Sequence, residues 1–338
     1  MSILAATISY AHPTLDKRNA SPPRPVMNGI NFPDPSMIRV NPNLFYAFST
    51  NAQINGQTVH IPMASSTNFV NWTHLGTKDA LPNLPTWIDN TNPRIWAPDV
   101  VQIANGQYVM YYTAATKANT NLHCLGVATS STVDGPYRPT SNSPWICPTS
   151  QGGAIDPAGY AQQDGTRWVV YKVDGNAIGH GGTCGNTVAP IVSTPIMLQQ
   201  VSPKDGYSLM GSPTQLITNS IADGPVTEAP SLSQMPDGTF VLFFSSNCFA
   251  TTLYDVAYAT SKNIAGPYTK GGPMFLTQNI PGGLVAPGGL DIAVNGNHAV
   301  FHANYGTGRA MYTATISGGG SQWNAYSTDP NNPGKISL

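Results

Sequence analysis

A repeat of about 65 residues constrains the fold of this chain more than any other feature of its sequence. The segment Val127–Tyr137 (V-A-T-S-S-T-V-D-G-P-Y) closely matches Tyr258–Tyr268 (Y-A-T-S-K-N-I-A-G-P-Y), which begins 131 residues later. A shorter match, Met63–Trp72 (M-A-S-S-T-N-F-V-N-W), lies about half of that distance before the first segment. A fixed period of this length is typical of repeat architectures, and a chain of 338 residues holds five such units.

A strand–turn–strand pattern opens each unit. In five places an apolar run is followed by a turn, several with Asn-Gly or Asp-Gly, and then by an aromatic run, at Pro35–Ser49, Pro98–Thr113, Asp156–Tyr171, Pro230–Ser245 and Leu290–His302. Such turns between β-branched or aromatic runs are strong hairpin signals. We therefore predict an all-β, single-domain, five-bladed β-propeller over residues 28–338, with a tail over residues 1–27. A β-sandwich is the alternative, but sandwiches do not repeat their strands at a fixed period.

The charge balance narrows the range of partners. The chain has a formal net charge of −1, an isoelectric point near 6.6 and only 9% charged residues. No block of like charge is present, so we expect neither nucleic acid nor an anionic membrane surface as a partner. No apolar stretch approaches the ~20 residues that cross a bilayer. We expect a monomer.

Several weak signals together favour secretion. Ile3–Ala11 is a short apolar run similar to a remnant of a signal peptide, and the dibasic pair Lys17–Arg18 is similar to a propeptide processing site. Sequons for N-glycosylation begin at Asn19 and Asn71. We therefore expect an extracellular protein whose first residues are removed during maturation.

The four cysteines, Cys124, Cys147, Cys184 and Cys248, lack the spacing of metal ligands. Three disulfide pairings are possible. We favour Cys124–Cys147 and Cys184–Cys248, because each of these pairs would tie neighbouring elements together. Four buried free thiols are the alternative.

Three acidic residues stand where strands of the predicted blades begin. Asp34 in F-P-D-P-S, Asp156 in A-I-D-P-A and Glu228 in T-E-A-P-S each precede a proline by one or two residues. Proline fixes φ and cannot donate to a ladder, which suits the start of a strand. The first strand of each blade lines the central channel, so the three carboxyl groups are expected to converge there. Glycoside hydrolysis needs two carboxyl groups with separated pKa values, and a third can tune the acid.

At these residues the chain resembles glycoside hydrolase family 43, the five-bladed arabinofuranosidases, xylosidases and arabinanases. The resemblance runs from about Asn31 to Tyr312. It is carried by an ordered set of motifs: F-P-D-P-S (Phe32–Ser36), I-W-A-P-D-V (Ile95–Val100), A-I-D-P (Ala154–Pro157), Y-K-V-D-G-N (Tyr171–Asn176), T-E-A-P-S (Thr227–Ser231), A-G-P-Y (Ala265–Tyr268) and A-P-G-G…H-A-N-Y (Ala286–Tyr305).

The resemblance implies a role for each acid. It makes Asp34 the general base, Glu228 the general acid, and Asp156 the group that orients the acid and modulates its pKa. Members of the family invert the anomeric configuration in one displacement. The carboxyl groups of base and acid are then expected to lie roughly 6.5–9.5 Å apart, which leaves room for water.

The resemblance also implies residues that bind the sugar. Trp96 would stack on the apolar face of the sugar, and Arg309 would reach the sugar and the base. Phe32 and Asn176 would line the wall of the sugar pocket. His302 would lie on the propeller axis, in similar proteins often beside a calcium ion. The chemistry itself needs no cofactor, and calcium would be structural. This chain has Gly288-Gly289 where the family often has Gly-His, which weakens a metal at His302.

We therefore expect an inverting hydrolase that releases terminal α-L-arabinofuranose, β-D-xylose or both from plant cell-wall saccharides. The Y-K-V-D-G-N motif resembles the exo-acting members of the family more than the arabinanases. An endo-1,5-α-L-arabinanase with the same carboxyl groups in an open groove is the alternative. A non-catalytic sugar-binding propeller is a third reading. Patterns of serine hydrolases, zinc proteases and P-loop enzymes are missing from the sequence.

Overall fold

The predicted propeller is confirmed by a computed structural model, which describes residues 22–294, 296–319, 322–330 and 334–337. These residues form five four-stranded antiparallel sheets, the blades, and one small hairpin. Most of the predicted tail lies outside the described residues, including Ile3–Ala11, Lys17–Arg18 and the sequon at Asn19. The boundary of the tail at residue 27 therefore stays a prediction.

The strands follow one another with short connections. In chain order they are β1 (Ser36–Asn41), β2 (Leu44–Phe48), β3 (Ala52–Ile54), β4 (Gln57–Val59), β5 (Met63–Ser66), β6 (Trp72–His74), β7 (Trp96–Gln102), β8 (Tyr108–Ala115), β9 (His123–Ser130), β10 (Arg138–Pro139), β11 (Ala154–Ala161), β12 (Arg167–Val173), β13 (Ile196–Val201), β14 (Leu209–Ile217), β15 (Thr227–Gln234), β16 (Phe240–Ser246), β17 (Val256–Ser261), β18 (Thr269–Phe275), β19 (Gly288–Ile292), β20 (His298–Tyr305), β21 (Gly308–Gly319) and β22 (Gln322–Ser327). The helices in the described residues are short 3-10 turns, at Met27–Gly29, Thr149–Gln151, Gly175–Ile178, Thr183–Gly185 and Ile221–Asp223. None of the helices described is long and apolar enough to cross a membrane.

The blades close into a ring through their first strands. Blade one contains β1, β2, β5 and β6, and blades two to five contain β7–β10, β11–β14, β15–β18 and β19–β22. Strand β1 contacts β7 on one side and β19 on the other, and β11 contacts both β7 and β15, which in turn contacts β19. The first strands therefore surround a common axis.

The hydrophobic core lies between the blades. Phe48 of blade one packs in one cluster with Met110 of blade two, and Val170 of blade three packs with Leu242 of blade four. Blade five shares a cluster with blade one, in which Val300 lies with Ala47. Each blade thus buries its apolar faces against its neighbours, as expected of a propeller.

The matched repeat segments occupy the same place in their blades. Each contains residues of the third strand and the turn after it. In the two longer segments this turn holds a glycine with positive φ, Gly135 (73°) or Gly266 (89°), whereas in Met63–Trp72 the residue with positive φ is Phe69 (62°). The tyrosine that ends the motif donates a hydrogen bond to the carbonyl four residues before it. Tyr137 bonds Val133 at 2.8 Å and Tyr268 bonds Ile264 at 3.1 Å. The repeat in sequence is therefore a repeat in structure.

A backbone kink recurs at the entrance of every first strand, two residues before β1 in blade one and inside the strand in the other four blades. Asp34, Ala97, Asp156, Ala229 and Gly289 have φ of 50°, 41°, 56°, 49° and 56°, respectively. The strand register shifts at this position in blades two to five. Positive φ is unfavourable for residues with a side chain, and such strained positions and β-bulges concentrate at functional sites.

Both predicted disulfides are confirmed, and the alternative of free thiols is wrong. Cys124 in β9 pairs with Cys147, in the segment that leads to blade three. Cys184, in the 3-10 turn Thr183–Gly185, pairs with Cys248 in the loop between β16 and β17. The second disulfide therefore joins loops of two adjacent blades.

Candidate active site

A cavity of about 380 Å³ opens above the entrances of the first strands. Asp34, Asp156 and Glu228 all line it, so the structure brings the three predicted carboxyl groups together. Asp34 and Asp156 lie at the kinked position, whereas Glu228 precedes it by one residue. The three acids are thus not at strictly equivalent positions of the repeat, because Ala229 takes the kink in blade four.

Asp34 is held as a carboxylate by its neighbours. Nη1 of Arg309 donates to Oδ1 at 2.7 Å, and the Thr50 hydroxyl donates to Oδ2 at 2.6 Å. Burial by itself raises the pKa of Asp34, but Arg309, His302 and the bond from Thr50 together outweigh it, so the pKa lies below its usual value. An ionised carboxylate is the form that a general base needs.

The pKa of Asp156 is shifted in the opposite direction to that of Asp34. Burial, and then the negative charges of Glu228 and Asp34, raise the pKa of Asp156 to about 8, although Lys172 opposes the shift. Its Oδ2 accepts a hydrogen bond from the Ala229 amide at 2.9 Å. Asp156 therefore retains its proton at neutral pH, while Asp34 in the same cavity is ionised.

Glu228 is paired with a buried lysine that we did not predict as a site residue. Nζ of Lys172 lies 2.9 Å from Oε2 of Glu228 and 3.0 Å from Oδ1 of Asp174. Lys172 and Asp174 both line the cavity and belong to the Y-K-V-D-G-N motif. A lysine inside the apolar run R-W-V-V-Y-K-V was the available signal, because a lysine is almost never fully buried without a partner.

Two of the predicted wall residues line the cavity, and Phe32 does not. Trp96 lines the cavity with its ring stacked on His123 at 3.9 Å between ring centroids. Asn176 also lines it, and its Oδ1 is buried without a hydrogen-bond partner, as is Nε2 of His123. Phe32 is 0% exposed and packs edge-on against His74. Its side chain belongs to the core between blades five and one, because that apolar cluster encloses it.

Sequence reasoning also missed aromatic residues around the cavity. Phe249 is 50% exposed at the cavity, with the guanidinium of Arg309 lying 5.6 Å from its ring centroid. Tyr254 is buried and lines the cavity. Both lie in the loop between β16 and β17, a region without a repeat motif that could have singled them out.

His302 lies beneath Asp34. Its Nδ1 accepts a hydrogen bond from the Asp34 amide at 3.0 Å, and its ring stacks on Tyr254. Burial, and then the charge of Arg309, lower the pKa of His302 to about 3, so the ring is neutral. A Cβ atom at Gly289 would come within 2.9 Å of this ring, which explains why the chain has glycine there.

The groups around His302 do not suit a calcium ion. Calcium prefers six to eight oxygen ligands. Nδ1 of His302 is taken by the Asp34 amide, and Nε2 lies 3.5 Å from Nη1 of Arg309, whose charge repels a cation. Within the described residues, no group of three or more His, Cys, Asp or Glu side chains is arranged to hold a metal ion. The axial calcium ion stays a prediction that these residues do not support.

Comparisons with known proteins agree with the geometry. The sequence matches the profile of Glycosyl hydrolases family 43 over residues 22–323. The extracellular endo-α-(1→5)-L-arabinanase 2 of Bacillus subtilis (strain 168) is 26% identical over 281 residues, which are 75% of this chain and 53% of that protein. The extracellular endo-α-(1→5)-L-arabinanase 1 of the same organism is 26% identical over 287 residues, or 80% of this chain and 79% of that protein. The chain thus spans about half the length of the first relative.

Solved structures share the fold. A thermostable family-43 glycoside hydrolase superposes with a TM-score of 0.75 at 22% identity, covering 93% of this chain and 99% of the other. The profile match extends over all five blades and includes the three acids that share the cavity. The chain therefore belongs to glycoside hydrolase family 43.

Proposed function

We propose that this protein is an inverting endo-1,5-α-L-arabinanase. The observation that carries the proposal is the opposed state of the carboxyl groups in one cavity: the pKa of Asp34 is lowered, while that of Asp156 is raised to about 8 beside Glu228. An ionised base and a protonated carboxyl group beside Glu228 are therefore present in one cavity at the same pH. The names of the two Bacillus relatives support arabinan, cut at internal bonds, as the substrate.

The proposed reaction is a single displacement. The Asp34 carboxylate takes a proton from a water molecule as the water oxygen bonds to the anomeric carbon. In the same step the bond from that carbon to the glycosidic oxygen breaks, and the Glu228 carboxyl group gives its proton to the departing oxygen. Asp34 ends protonated and Glu228 ionised. Asp156, whose pKa is raised, keeps the acid side of the cavity supplied with a proton.

The remaining cavity residues would bind the sugar. The stacked pair of Trp96 and His123 offers an aromatic face for the CH groups of a furanose ring. The unpartnered Nε2 of His123 and Oδ1 of Asn176 can bond sugar hydroxyl groups. Phe249, half exposed beside Arg309, provides a further aromatic surface for a second sugar unit.

Product analysis tests the proposal. Linear α-1,5-arabinan should yield a mixture of short oligosaccharides, and NMR should show that the anomer first released is inverted. Release of arabinose alone would instead support the exo-acting arabinofuranosidase that the Y-K-V-D-G-N motif suggested. Release of xylose from xylobiose would indicate a β-xylosidase. Asp34→Asn and Glu228→Gln should remove turnover while the fold survives, and full activity of either variant would refute the roles assigned here.

Secretion fits the same proposal. Disulfides persist in oxidising compartments, and both disulfides of the chain are formed. The two Bacillus relatives carry the word extracellular in their names. An extracellular monomer that meets polymeric arabinan outside the cell is the form that we propose, and light scattering of the purified protein tests the monomer.

A further inference from the structure

Lys172 is a buried cation placed directly against the proposed general acid. It lies in the inner part of blade three, in β12, where it pairs with Ile155 and Ile196 of the flanking strands. Its side chain is 1% exposed, and its Nζ is within 3.0 Å of both Asp174 Oδ1 and Glu228 Oε2. Burying an ammonium group is costly, so the two carboxyl groups are what keep it charged. Glu228 and Asp174 accordingly raise the pKa of Lys172 against the effect of burial.

Other charged and titratable groups surround this cluster from every side. Asp156 on β11, Tyr254 before β17 and His123 on β9 interact with Glu228, Lys172 or Asp174. Behind them, Asp34 at the entrance of β1 acts on Asp156 and Tyr254, and Arg94 before β7 acts on His123. Burial, and then the charge of Arg94, lower the pKa of His123 to about 4, so His123 contributes no positive charge at neutral pH. Lys172 is therefore the cation in direct contact with Glu228 among the described residues.

A cation in this position has two opposite effects on a general acid. Before the reaction it disfavours protonation of Glu228, because it stabilises the carboxylate. During the reaction the proton moves to the departing oxygen and negative charge develops on Glu228. The attraction of Lys172 is then stronger than in the ground state, and an interaction that strengthens in the transition state accelerates the reaction.

We propose that Lys172 is a positioning residue that sets the acid strength of Glu228, and that Asp174 limits its effect by sharing the ammonium group. The proposal rests on the proposed function, because it takes Glu228 as the proton donor. It goes beyond that function by assigning a role to the Lys172–Asp174 pair. The proton still comes from Glu228 and still ends on the glycosidic oxygen; Lys172 neither gives nor takes one.

The leaving group provides the decisive test. A sugar alkoxide must be protonated as it departs, whereas 4-nitrophenolate departs without a proton. Lys172→Met should therefore lower kcat by about 100-fold on unmodified arabino-oligosaccharide, the lower end of what acid catalysis supplies, and by less than about tenfold on the 4-nitrophenyl glycoside of the same oligosaccharide. A side chain that only supports the fold would lower both rates by the same factor.

The pH profile provides a second test, because two variants should move its basic limb in opposite directions. Lys172→Met removes the cation, so Glu228 should hold its proton to higher pH and the basic limb of kcat/KM should move upward. Asp174→Asn leaves the whole charge of Lys172 to Glu228, so the basic limb should move downward. If Lys172→Met fails to fold, Asp174→Asn still carries the test.

Lys270→Met is the matched control. Lys270 also pairs with a buried aspartate, Asp223, but in blade four and outside the cavity. Its loss should lower the melting temperature without changing the ratio of the rates on the two substrates. The proposal would be overturned if folded Lys172→Met lost kcat equally on both substrates. It would also be overturned if the basic limb of kcat/KM did not move in Lys172→Met and Asp174→Asn. Failure of the proposed function is distinguishable in the wild-type protein, which would then either cleave neither substrate or release arabinose alone.

Discussion

Nη1 of Arg309 lies 2.7 Å from Oδ1 of Asp34, although 275 positions separate the two residues in the chain. This contact joins blade five to blade one at the cavity, and it lowers the pKa of the proposed base. The closure of the propeller ring and the ionisation of Asp34 are therefore linked through one pair of side chains.

Arg309→Met should move the acidic limb of the pH profile to higher pH. The guanidinium lowers the pKa of Asp34, so its removal raises that pKa, and Asp34 must be ionised to act as the base. An adjacent cation lowers a carboxyl pKa by about 1–3 units, and the acidic limb of kcat/KM should move by a similar amount. Arg138→Met, on the exposed outer strand of blade two, is the control. A variant that folds and keeps the wild-type acidic limb would contradict the role of Arg309.

Asp156→Asn should move the basic limb to lower pH. The pKa of Asp156 is raised to about 8 by burial and then by Glu228, so the two carboxyl groups interact. Without the neighbouring negative charge, Glu228 beside Lys172 loses its proton at lower pH, so activity at neutral pH should fall by about 10–100-fold. Kinetics between pH 4 and pH 9 measure this, with the exposed Asp164→Asn as the control. An unchanged basic limb would show that Asp156 does not tune the acid.

The disulfide between Cys184 and Cys248 should matter for substrate binding as well as for stability. Cys184 lines the cavity, and Cys248 immediately precedes Phe249, which lines it too. The Cys184→Ser/Cys248→Ser double variant loses a cross-link over 64 residues, which contributes about 4 kcal/mol to the free energy of unfolding. We expect a lower melting temperature and a raised KM for oligosaccharides.

The other disulfide provides the comparison. Cys124 is fully buried, and neither Cys124 nor Cys147 is among the described residues that line the cavity. The Cys124→Ser/Cys147→Ser double variant should lose stability with a smaller rise in KM, because its one link to the cavity is His123, the residue before Cys124. Equal effects of the two double variants on KM would show that the Cys184–Cys248 disulfide has no special part in shaping the cavity.

The predictable features of this protein are the local ones. The G-P-Y turns, the hairpins and the acids before prolines depend on a few adjacent residues, so the sequence indicates the blades and the three carboxyl groups directly. Contacts between blades cannot be predicted from a few adjacent residues. Phe32 lies only two residues before Asp34 in the F-P-D-P-S motif, yet its side chain faces the core. Lys172 contacts Glu228, which is 56 positions away in the sequence. The face that a strand presents, and the partner it meets there, depend on how neighbouring blades pack.

A second layer of side chains lies below Asp34, Asp156 and Glu228 in the central channel. Asp99 and Asp291, each two residues after the kink of its strand, line a cavity of about 40 Å³ on the axis. Oδ2 of Asp99 accepts a hydrogen bond from the Gly159 amide of blade three at 2.6 Å. Asp291 accepts from the Met37 amide of blade one and from the Ser231 hydroxyl of blade four. Asp99 therefore links blade two to blade three, and Asp291 links blade five to blades one and four.

Asp99→Asn should stabilise the protein at alkaline pH. Burial, and then the charge of Asp291, raise the pKa of Asp99 well above its usual value, and burial raises that of Asp291 to about 6. The folded state therefore binds protons that the unfolded chain releases, so the wild-type protein loses stability as the pH rises from about 4 through 6 and beyond. Asparagine keeps the acceptor for Gly159 without the charge. The free energy of unfolding at pH 8 should rise by about 1–3 kcal/mol, with little change at pH 4. Urea denaturation at the two pH values measures this, and a destabilised variant at pH 8 would show that the charge of Asp99 supports the channel.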